Sequence, residues 1–151
     1  MAKMEIVLTE DALYDVDLAE VFAPIEDTTA PLVRFSCTDN KTELFAAING
    51  GGDSITTVFG EELEITGIII TSADVPIDRN KPNDGTINKP CVNFFTTEGQ
   101  HFASISNGVV RATKNMLGMG LLPSPEYPIL ITFRQINTPK GIAHTFDIIS
   151  D

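Results

Sequence analysis

A chain of 151 residues, 42% apolar and 21% charged, has the size and balance of one globular domain that buries a core without disulfides or metals. Its two cysteines, Cys37 and Cys91, form no CxxC pair and lack the nitrogen and sulfur partners of a zinc site, so they read as buried thiols in a reducing cytosol, with no metal and no cofactor. The net charge of −11 taken whole argues against phosphate-rich partners, the acidic start has no apolar run of a signal peptide, and no stretch approaches the roughly 18 apolar residues of a membrane span.

Residues 1–30 carry eight acids and one base and end in a turn-rich run at 24–31. Leu13, Tyr14, Val16, Leu18, Val21 and Phe22 are more large apolar side chains than a solvated tail needs. The segment reads as a short helix or an extended arm that docks on another surface.

From 31 to 37 the pattern alternates, with Val33, Phe35 and Cys37 on one face and Arg34 and Ser36 on the other, as in a strand. Residues 38–41 read as a turn. Leu44, Ala46 and Ile48 are in phase for a second strand over 43–48. The glycines at 50–52 lack the GK[ST] of a phosphate-binding P-loop and read as a flexible turn or strand bend rather than an anion nest. The next segment, 62–72, alternates at Leu63 and Ile65 and then turns apolar throughout at Ile68, Ile69 and Ile70, the mark of a strand that dives into the core. Residues 74–90 contain Pro76, Pro82 and Pro90 and read as a long polar loop.

Two short strands at 91–97 and 101–106 flank the turn at Glu98 and Gly99. The period then changes. Val109, Val110, Ala112, Thr113, Met116 and Leu117 share one side of a helix over 107–117, with Ser106 or Asn107 as N-cap and Gly118, Gly120 and Pro123 as its stop. Alternating strands follow at 128–136 and 142–149, joined by a turn at 137–141.

Three strand regions, one helix and two strands match the order of an OB-fold, a five-stranded Greek-key barrel with its helix between the third and fourth strands. The expected division is an acidic N-terminal arm, 1–30, and an OB-fold domain, 31–151. Extra β residues near the start fit a split first strand or an added hairpin. Charge is segregated along the chain. Residues 79–146 hold seven bases and three acids, a net of +4, whereas residues 1–78 hold three bases and 16 acids.

Several segments resemble the small single-stranded DNA-binding proteins of Gram-positive phages and conjugative plasmids. The first runs from Phe45-Ala46-Ala47-Ile48-Asn49 through the three glycines to Gly60-Glu61 and Glu64-Ile65. The second is Val92-Asn93-Phe94-Phe95-Thr96-Thr97-Glu98-Gly99, then Phe102-Ala103-Ser104-Ile105-Ser106. The third joins 131–135 to 140–146. The resemblance implies a cytoplasmic protein of the host cell that binds single-stranded DNA with little sequence preference during replication or transfer.

A single-strand binder needs a cationic groove for the backbone and aromatic faces for the bases. The expected stacking residues are Phe45, Phe95 and Phe102, with His101 beside the last. Phe133 and Phe146 read as core. Arg34, Arg79, Lys81, Lys89, Arg134 and Lys140 are the expected backbone contacts. Arg111 and Lys114 lie on the helix that plugs the barrel end and are set aside. No GxSxG, HExxH or kinase-like set occurs, so no enzyme is expected. The expected partners are single-stranded DNA and further copies of the chain held through the arm, with no membrane. The competing reading, favoured by the net charge, is an acidic β-barrel that binds proteins as a regulatory or anti-defence module and does not bind DNA.

Overall fold

The computed structural model describes residues 33–77, 80–81, 83 and 85–149; the expected arm at 1–30 lies outside them. The chain is mostly β. Among the described residues, seven strands form one mixed sheet that curls into a half-barrel. They are β1 (Val33–Ser36), β2 (Asp53–Ser54), β3 (Leu63–Pro76), β4 (Thr86–Thr96), β5 (His101–Ser104), β6 (Ile129–Thr138) and β7 (Gly141–Ile148). Among the described residues two helices accompany them, α1 (Lys41–Ile48) and α2 (Asn107–Gly118), with a 3-10 turn at Ile55–Val58. The strand order is β2-β5-β4-β3-β6-β7, with β1 added on β3. Every pair is antiparallel except β2 with β5.

β3 organises the sheet because its two sides are used differently along its length. One side pairs with β4 from Ile65 to Pro76. The other takes β6 at Leu63–Ile65 and then β1 at Ile69–Thr71. Ile68, Ile69 and Ile70 are fully buried, and they divide between two cores. Ile68 and Ile70 join the main cluster with Val92, Phe94, Phe102, Met116, Leu117, Ile131, Phe133 and Phe146. Ile69 faces a second cluster of Val33, Leu44, Ala47 and Phe95 on the outer side of the sheet. Both faces of β3 are therefore dry at this point, which explains the loss of alternation in the sequence. Phe94, Phe133 and Phe146 meet edge to face at centroid distances of 5.0, 5.6 and 5.8 Å, the geometry the ring quadrupole favours.

The expected strand at 43–48 is instead α1. The Asn40 carboxamide oxygen accepts the Thr42 and Glu43 amides at 2.9 and 3.2 Å, which satisfies two of the helix's open donors. Leu44 and Ala47, three residues apart, then pack on Ile69 and Phe95. The alternation expected for 31–37 also breaks. The register shifts between Val33 and Phe35, and such a bulge turns the next side chain to the other face. Val33 consequently joins the outer cluster while Phe35 and Cys37 enter the main core.

The long loop expected at 74–90 is largely a hairpin arm. Pairing of β3 with β4 continues unbroken from Ser72↔Pro90 to Pro76↔Thr86, so only the tip departs from the ladder. Pro90 is tolerated because β5 pairs with β4 only from Val92 onward, leaving that part of the strand with an open edge. α2 forms at the expected place and buries Val109, Thr113, Met116 and Leu117. It begins close to β7: the Ser106 hydroxyl donates to the His144 carbonyl at 3.4 Å. A Cβ on Gly108 would stand 2.0 Å from that same oxygen.

Both cysteines are free thiols, Cys37 buried and Cys91 half-buried. Cys37 Sγ accepts the Ile68 amide at 3.1 Å, and burial pushes its thiol up to about 12.

Candidate nucleic-acid interface

Strand alternation assigns each candidate side chain to a face. On β4, Val92 and Phe94 point into the main core, so Lys89, Cys91, Asn93 and Phe95 point to the outer side. On β6, Ile131 and Phe133 point inward, so Thr132 and Arg134 point outward. α1 lies on the same outer side, over Ile69 and Phe95.

Phe45 projects from α1 and is 66% exposed. Among the described phenylalanines it is the one that offers an open ring face. Phe95 also lies on the outer side but is only 5% exposed, because Leu44, Ala47 and Val33 cover it. Its expected role as an open stacking platform is corrected accordingly. Its remaining ring face is taken by His101, whose imidazole stacks on it at 4.4 Å with a 17° interplanar angle. His101 Nε2 lies 2.8 Å from the Asn93 carboxamide oxygen. The Asn93 amide nitrogen donates to the Ile69 carbonyl and the Thr71 hydroxyl at 3.1 and 3.2 Å. This network leaves the Asn93 oxygen as the acceptor, which makes Nε2 the donor. Burial lowers the His101 pKa, opposed by the nearby Asp53 carboxylate. His101 thus supports Phe95 and contributes a ring more than a charge.

Phe102 is corrected outright. It is 2% exposed and belongs to the main core. It pairs with Phe94 across β4 and β5, on the inward face of both strands.

The basic residues fall into two groups that no described contact joins. Arg34 sits on the inner side of the hairpin arm. Its Nε donates to the Ser72 hydroxyl at 3.1 Å, and a terminal nitrogen donates to the Asn88 carboxamide oxygen. Half-burial pulls its pKa down without discharging it, since a guanidinium stays protonated at any ordinary pH. Lys89 is half-buried on the other side of the arm and Lys81 is exposed at its tip. Arg79 lies outside the described residues. The second group is on β6 and β7. Arg134 pairs with Asp147, Nε to Oδ2 at 2.5 Å and a terminal nitrogen to Oδ1 at 3.3 Å. Lys140 is exposed in the two-residue tip between Thr138 and Gly141, where Gly141 takes a φ of +123°.

One exposed aromatic was not foreseen. Tyr127 is 74% exposed in a turn closed at both ends: its amide donates to the Ser124 carbonyl at 3.1 Å, and the Ser124 amide donates back to the Tyr127 carbonyl at 3.2 Å. The flanking Pro128 and the preceding acid, Glu126, were the available signals, since that surrounding is poor for a core residue.

The outer side therefore carries an exposed ring, Phe45, together with Lys89 and Arg134, on the sheet face away from the main core. An open aromatic face with cations on the same side is the pairing that single-strand binding requires. Among the described residues there is no cluster of three or more histidine, cysteine, aspartate or glutamate side chains able to hold a metal, and no helix is long and apolar enough to cross a membrane. The model of the family described as phage single-stranded DNA-binding protein matches residues 20–147. No curated protein and no solved structure matches the chain.

Proposed function

Because the chain belongs to the phage single-stranded DNA-binding protein family, a family of non-enzymatic DNA-binding proteins, we propose that it coats single-stranded DNA with little sequence preference and protects or organises it during phage replication. The family match over residues 20–147 carries this reading. The outer face supplies the chemistry: Phe45 stacks on bases and Lys89 and Arg134 meet phosphates, with the exposed Tyr127, Lys81 and Lys140 as further contacts. Stacking is indifferent to base identity, because every base has a π face. The negative total charge is accommodated by its segregation, since the segment 79–146 is net +4.

Fluorescence anisotropy with labelled oligo(dT), against a duplex of equal length, tests this. The single strand should bind, and binding should weaken as salt rises. Phe45→Ala should cost about 1–3 kcal/mol of affinity, and its thermal midpoint should stay near wild type because an exposed ring contributes little to the core. Equal, salt-independent binding of both DNAs, or none at low salt, would leave the acidic protein-interaction reading in its place.

The arm at 1–30 is proposed to dock on a neighbouring copy, with its apolar residues seated on the next barrel and its acids facing the basic segment. A chain beginning at Ala30 should lose oligomers in light scattering and cooperativity on long DNA, yet keep its affinity for a short oligonucleotide. Unchanged mass and unchanged cooperativity would refute intersubunit docking.

A further inference from the structure

Among the described residues, Arg134 is the one cation on the outer sheet face whose hydrogen-bonding fork is already filled. The ion pair runs diagonally across β6 and β7. Arg134 lies opposite Thr145, and Asp147 lies opposite Thr132, so Asp147 reaches Arg134 from two positions along its strand. Phe133, next to Arg134, and Phe146, next to Asp147, are buried beneath, which fixes both backbones. The contact is two-pronged, at 2.5 and 3.3 Å, and both side chains are 50% exposed.

These facts have opposing consequences. A carboxylate presents two oxygens to the planar guanidinium in the way a phosphate does, so the two anions compete for one fork. An exposed ion pair is screened by solvent and holds only weakly, so an incoming phosphate can displace the carboxylate. The displaced Asp147 then remains beside the phosphate as a like charge. We propose that Asp147 is a built-in phosphate mimic: it occupies the Arg134 fork in the free protein and weakens single-stranded DNA binding there, holding Arg134 in the conformation a phosphate needs. The proposal rests on the single-strand-binding reading. It assigns Asp147 as a determinant of affinity and salt response, and Arg134 as a contact gated by its neighbour.

The test is a double-mutant cycle read by anisotropy on oligo(dT) across a salt series. Asp147→Asn should tighten binding about threefold to tenfold at low salt and steepen the log–log salt slope by about 0.7, the value of one phosphate contact on a single strand. The same change in an Arg134→Gln background should give little or no gain, because the fork it frees is gone. Glu98→Gln, at an exposed turn residue, measures the effect of removing any one negative charge. Asp147→Ser repeats the test without a carboxamide that could itself hydrogen-bond Arg134. A gain in Asp147→Asn and Asp147→Ser that exceeds that of Glu98→Gln and disappears without Arg134 supports the proposal. No gain, a gain equal to that of Glu98→Gln, or a gain that persists in Arg134→Gln overturns it. If wild type binds no single-stranded DNA at any salt, the underlying reading fails instead.

Discussion

Phe102→Ala is expected to lose about 3–5 kcal/mol of folding stability. That is a large share of the roughly 5–15 kcal/mol that holds a typical domain together. Phe102 is 2% exposed and shares the main core with Phe94 and Val92, so truncation leaves a cavity inside a packed core that cannot collapse freely. Urea unfolding should show a much lower midpoint with a similar m-value. Under conditions where the variant is folded, its affinity for oligo(dT) should match wild type. A variant that unfolds like wild type but loses DNA affinity would put Phe102 at the surface and refute the core assignment.

Gly108→Ala should destabilise the protein by about 3 kcal/mol, the upper part of the usual range for overpacking. Helix propensity predicts the opposite sign, a gain of about 1 kcal/mol on exchanging glycine for alanine within a helix. The clash decides, because the added Cβ would stand 2.0 Å from the His144 carbonyl oxygen and 3.2 Å from its carbon. Backbone atoms of a paired strand do not swing aside as a side-chain tip does. Relief therefore requires α2 to lift off β7, disturbing Val109 and the contacts of Phe146 below. A thermal melt of Gly108→Ala that equals or exceeds wild type would show that α2 is not held so close to the strand.

The sequence was most legible where one face alone decides a pattern. The strands at 128–136 and 142–149 and the helix at 107–117 were visible because each has one buried side. It was least legible where both faces are covered. Strand alternation puts Phe94 and Phe95 on opposite faces, but nothing local says that α1 roofs the outer one, and so Phe95 read as open. Phe102 failed for a related reason, since a short strand of four residues offers too little alternation to fix its phase. The α1 segment carried two conflicting signals. Leu44, Ala46 and Ile48 fit a strand, whereas Asn40 followed by Glu43 three residues later fits a helix start, and the capping chemistry prevailed. The segment 74–90 read as loop because prolines outweigh pairing when the partner strand is not yet known. In the candidate interface, Phe45 read as an exposed ring and is one, although on a helix and not the expected strand, whereas the Arg134–Asp147 pair depends on register between two strands and has no local signature.

The different pairing along β3 also divides the molecule by how its amides meet solvent. From Ile69 to Thr71 each position is flanked by β1 on one side and β4 on the other, and the side chains of Ile69 and Ile70 are fully buried. Deuterium reaches those amides only when the whole domain opens. From Ser72 to Pro76, among the described residues, the partner is β4 alone, so fraying of a two-stranded ribbon suffices. The arm that carries Lys89 and Lys81 can thus open and reclose on its own while the sheet around Ile69 and Ile70 keeps its shape, without any loss of global fold.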